Sequence, residues 1–217
     1  MVSPSVPSRR TGIPGKKQLG PPHQPNSNSP VILTSFFQGP PPALAMAVLQ
    51  HPAALLALEP KSELDPGLVS KVWKAADAEI SGHHPVRNPS MLALFRGGLL
   101  YALDALDPAH TIFQDDSSPY GSYWHGMMHR REGDFSNACY WFSHAGTLPV
   151  ASQIHDLLRS IPLDLEWSPE AFTRRCEKTA RSRPDMPLET LQVIQKTEFF
   201  VLMRHCWNAA VAEGRTS

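Results

Sequence analysis

Helices alone account for the patterning of this chain beyond its first forty residues. Four dipeptides set a capping side chain before a proline at a first helical position: Asp65-Pro66, Asn88-Pro89, Asp107-Pro108 and Ser168-Pro169. Apolar residues recur at helical spacing after them. No alternating strand pattern interrupts residues 43–214. The expected fold is all-α: one domain over residues 43–214, built of antiparallel helical hairpins and closed by a long C-terminal helix. Residues 1–42 form a separate Pro-rich tail.

The tail holds ten of the 22 prolines and no acidic residue. Such a segment buries too little apolar surface to offset chain entropy, so disorder is expected. Its charges are Arg9, Arg10, Lys16 and Lys17. A linker, a targeting segment and initiation at Met46 are three readings of residues 1–45, although ten prolines oppose the amphipathic helix of a transit peptide. Val31–Phe37 is the one strand-like run, and it has no partner. Ala43 to Leu58 is apolar but broken at Gln50, His51 and Pro52.

The first long helix runs from Asp65 to Gly82, with Leu68, Val69, Val72, Trp73, Ala76 and Ile80 as its apolar stripe. After Pro89, MLALFRGGLLYALDAL is apolar nearly all round, hence buried. Asp107 caps a short helix to about Gln114. Residues 120–131 form the next, and Asp134 caps another to about His144. Residues 151–160 and 168–180 are two more. The last spans Leu188 to Glu213, with Leu188, Leu191, Ile194, Val201, Leu202, His205 and Ala209 on one side and Gly214 ending it.

Charge and cysteine content exclude several classes. Lysine plus arginine equals aspartate plus glutamate at 20 each. Without the tail's four cations, 16 basic face 20 acidic residues, a formal charge of −4 on the folded part. Neither nucleic acid nor an anionic membrane is an expected partner. Cys139, Cys176 and Cys206 are odd in number and form no CxxC pair. That implies a reduced, cytoplasmic protein and argues against a zinc knuckle. GxSxG elbows, Walker loops and dinucleotide fingerprints are absent from the sequence.

Gly97, Ala109 and Phe113 stand 29 residues before Gly126, Ala138 and Phe142. The second copy, WHGMMHRREGDFSNACYWFSHAGTLP, resembles a tetratricopeptide unit. Gly126, Gly133-Asp134, Ala138, Phe142 and Ala145 occupy that repeat's small, turn and aromatic positions. Ser122, His125 and His129 stand where the family has Trp, Leu and Tyr, and the period is shorter than its ~34 residues. The resemblance implies a helical-hairpin fold. The string GSYWHGMMHRREGDFSNACYWF also resembles the hallmark segment of a family of uncharacterised small helical proteins, which implies no particular activity.

Residues 121–146 concentrate the chemistry. His125 and His129 are at i and i+4, so a helix sets both imidazoles on one face, about 6 Å apart at Cβ. That is the spacing with which two histidines grip one metal ion, and Glu132 extends the same face as a third ligand. The segment is not an HExxH motif, because Gly126 replaces the glutamate. Asp134 or His110 could then orient or deprotonate water. Against this, His125 and His129 could be hydrogen-bonded core residues, and Asp134 a helix cap. Arg130 and Arg131 could bind an anion, although internal carboxylates compete for them. Tyr140, Trp141 and Phe142 sweep about 200° of helix, so at least one faces another element or lines a cleft; Tyr140 and Trp141 are the expected aromatic walls of such a cleft.

Two functional classes follow. One is a helical interaction or scaffold module for an unidentified protein or small-molecule partner, favoured by the hairpins and by the lack of a complete catalytic motif. The other is a metal-assisted hydrolase using a divalent ion such as zinc. They part on whether His125, His129 and Glu132 converge.

Overall fold

A computed structural model describes residue 37, residues 41–159 and residues 167–211. It is all-α: among the described residues there are ten helices and one isolated bridge, Val86 to Val211. They are α1 (Ala43–Leu49), α2 (Pro66–Lys74), α3 (Asp77–Ile80), α4 (Pro89–Ala102) and α5 (Leu106–Gln114). Then follow α6 (Pro119–Glu132), α7 (Phe135–Ala145), α8 (Val150–Leu158), α9 (Pro169–Ala180) and α10 (Leu188–Ala210).

Capping explains most of the starts. Asp65, Asn88 and Ser168 each accept from a backbone N–H three residues on, with proline at the first helical position. Ser118-Pro119 does the same for α6. Asp107 does not cap α5: the helix already starts at Leu106, with Asp107 in its first turn.

The helix expected from Asp65 to Gly82 is two helices. The Arg96 guanidinium accounts for the break. Its Nη1 donates to the carbonyls of Val72 and Ala75, and its Nη2 to Asp77. Those carbonyls no longer need a continuing helix. Trp73, in the last turn of α2, is exposed rather than part of the stripe.

α4 is buried over most of its length and packs against α5, α10 and α6. On α10 the buried face includes Gln195 and Glu198, whereas Leu188 is exposed. The helix ends at Ala210 rather than at the expected Glu213, because Val211 is extended and bridges Val86; residues 212–217 lie outside the described residues. So do residues 31–36 of the strand-like run, but Phe37 is buried against Phe95 and Trp207. Among the described residues no helix is long and apolar enough to cross a membrane.

The two glycines spaced 29 residues apart serve the same packing purpose. A Cβ on Gly97 would run into the ring of Phe113, and one on Gly126 would stand 2.8 Å from the ring of Phe142. In each hairpin, α4–α5 and α6–α7, the missing side chain leaves the groove that the partner's phenylalanine fills. Gly126→Ala should therefore lower unfolding free energy by about 1–3 kcal/mol through overpacking. Urea denaturation measures it; an unchanged midpoint would mean the α6–α7 contact is looser than described.

Candidate functional site: a three-histidine cluster on a buried helix

Every residue of α6 from Gly121 to Arg131 is buried. The helix is wedged between α5 and α7, with α4 and α10 against its other sides. Its polar side chains must therefore find partners inside the protein.

The arginines do so with carboxylates. Arg130 forks onto Glu198 of α10, both wholly buried, and Tyr123 Oη donates to the same carboxylate at 2.9 Å. The guanidinium lies over the rings of Phe142 and Phe172, at 5.5 and 4.4 Å from their centroids. Arg131 pairs with Asp104 and donates to the carbonyls of Tyr101 and Ala57. Neither arginine is open to an external anion. They tie α6 to α10, to the end of α4 and to the segment before α2. Arg130→Met would strand the buried Glu198 carboxylate and cost about 3–5 kcal/mol. Adding Glu198→Leu should restore much of the loss. Urea unfolding of the single and double variants measures both; a single-variant cost within experimental error would contradict the pairing.

The histidines find one another. His125 and His129 stack with ring centroids 4.6 Å apart, as their spacing on one helix face requires. His110, from the middle of α5, closes the group. Its Nε2 is 2.9 Å from Nε2 of His125, and its ring centroid is 5.1 Å from that of His129. One ligand nitrogen from each of the three lies within 4.8 Å of the others. His125 and His129 are buried and His110 is half-buried. Trp141 of α7 stacks on His125 at 4.1 Å.

Burial, reinforced by the neighbouring His129 and His110, pulls the His125 pKa down to about 4. The imidazole is thus neutral at physiological pH and keeps a lone pair. Among the described residues its buried Nδ1 has no hydrogen-bond partner.

Glu132 does not join the three histidines. It accepts from Nδ1 of His129 at 2.9 Å, one turn along the same helix. In the neutral imidazole that puts the hydrogen on Nδ1 and the lone pair on Nε2. Asn137 meets this lone pair, its amide Nδ2 standing 3.1 Å from Nε2 of His129. Asn137 was not singled out in the sequence, where it is simply the third residue after a capping aspartate; contact with His129 across the Gly133 turn is a tertiary fact. Asp134 caps α7, accepting from the Asn137 backbone N–H at 3.2 Å, and so sits outside the cluster.

Tyr140 is exposed and packs edge-on against Trp141. Burial pushes the Cys139 thiol above its ordinary pKa, so it is a poor nucleophile. A cleft of about 510 Å³ lies beside the cluster, lined in part by Lys61, Glu63, Asp107, Pro108 and Glu132. The histidines are not among its lining residues; Glu132, which lines it, accepts from His129.

No family model, curated protein or solved structure matches this chain.

Proposed function

We propose that His110, His125 and His129 hold one divalent transition metal, with zinc the ion that best suits the donors, and that the ion activates water for hydrolysis. One observation carries the reading: three neutral-capable imidazoles from two helices converge around a single point. Tetrahedral zinc at ~2.0–2.1 Å from each nitrogen spaces its ligands by about 3.3 Å, a small side-chain adjustment from the present arrangement. Three protein ligands leave a fourth position for water, as in catalytic sites.

The Glu132–His129 pair supports the same reading. Metal-ligating histidines commonly donate their other N–H to a carboxylate, which orients the ring and raises its basicity. In this reading Glu132 orients a ligand rather than binding the ion, and His110 is the third ligand rather than a base. Asp134 supports α7. Trp141 backs His125, and with Tyr140 it offers an aromatic wall to a substrate. The neighbouring cleft, which Glu132 lines, is where that substrate would approach.

Untagged protein, purified without chelator, should carry stoichiometric Zn, Fe or Mn by mass spectrometry. His110→Ala, the substitution least costly to the core because His110 is half-buried, should lose it while retaining its circular dichroism. A wild type that stays metal-free and whose thermal stability ignores both added zinc and chelator would make the histidines structural. The helical interaction module would then become the better reading.

A further inference from the structure

Asn137 occupies the position a metal at His129 must contest. The Glu132 carboxylate can only accept. The hydrogen it shares with His129 therefore sits on Nδ1, and in the neutral ring Nε2 presents a lone pair. A lone pair accepts, so the Asn137 group facing it at 3.1 Å is the amide NH₂. The tautomer thus assigns the amide orientation. Any ion using Nε2 of His129 takes the lone pair that this amide already engages.

We propose that Asn137 is a positioning residue that occupies His129 in the metal-free protein and, once an ion takes Nε2, turns its released carboxamide to the water on that ion. The proposal rests on the metal site above. Three features of the fold suit Asn137 to it. It stands in the first turn of α7, where the Asp134 cap fixes its backbone. It is half-buried, and so able to turn. It approaches from α7, whereas the ligands come from α5 and α6. The amide acts twice: as a competitor that weakens metal binding, and as a donor that stabilises hydroxide on the bound ion.

The test compares wild type with Asn137→Ala. Alanine is an excellent helix former, so α7 should persist. Zinc affinity is measured by competition with a chromophoric chelator. Ionisation of the metal-bound water is read from the pH dependence of the cobalt(II)-substituted protein's visible spectrum. The His129 tautomer is read from imidazole ¹⁵N shifts in the metal-free protein. Losing one competing hydrogen bond should tighten zinc binding between about two- and tenfold. The cobalt transition should move to higher pH, and the metal-free His129 should lose the Nε2 shift that marks an accepted hydrogen bond. A structural role for Asn137 would not move the cobalt transition. Weaker zinc binding by the variant, or an unchanged affinity and transition beside a metal-binding wild type, overturns this proposal alone. A wild type that binds neither zinc nor cobalt overturns the metal site and this proposal together; the ¹⁵N shifts still report whether Asn137 bonds His129.

Discussion

The burial of α6 on all its faces constrains everything around it. A helix sequence that includes two histidines and two arginines has no solvent to turn them toward. Removing a charge from water costs several kcal/mol unless it is paired and hydrogen-bonded. Each polar residue of α6 therefore dictates a residue elsewhere. Arg130 requires Glu198 on α10, Arg131 requires Asp104 at the end of α4, and the histidine face requires a polar neighbour, which His110 on α5 supplies. These pairs tie α5, α10 and the end of α4 to α6.

Packing sets how closely those partners can come. Gly126 lets Phe142 into the face of α6, and Gly97 does the same for Phe113 on α4. The first brings α7 close enough for Asn137 to reach His129. The second seats α5 against α4 and so fixes where His110 projects. Gly133, with a φ of 84°, takes the left-handed conformation that ends α6 and lets the chain reverse at once into the Asp134 cap. A turn this short leaves the α6–α7 hairpin little freedom, and the site inherits that rigidity.

Much of this was legible before any coordinates. Proline-preceded caps and helical periodicity are local signals, and they marked an all-α chain and most helix starts. The pairing of His125 with His129 follows from i, i+4 geometry alone. What escaped was tertiary. Arg96 is 24 residues from the Val72 carbonyl it engages, so the break after Lys74 left no mark in the local pattern. Asp107-Pro108 looks like a cap, yet the turn at Asp104, with φ of 60°, starts α5 at Leu106. Glu132 reads as a ligand by helix position, but it is nearer to Nδ1 of His129 than to any shared point. His110 is expected at the site as a group acting on water, and the packing of α5 sets its ring against the other two; Asn137 reaches His129 through the packing of α7, which spacing cannot encode.

X-ray absorption at the zinc K-edge of the zinc-loaded protein tests directly whether His110, His125 and His129 share one ion. Three imidazole nitrogens and one oxygen at ~2.0–2.1 Å are the expected shell. Fewer than three imidazoles, or a sulfur scatterer near ~2.3 Å, would contradict it.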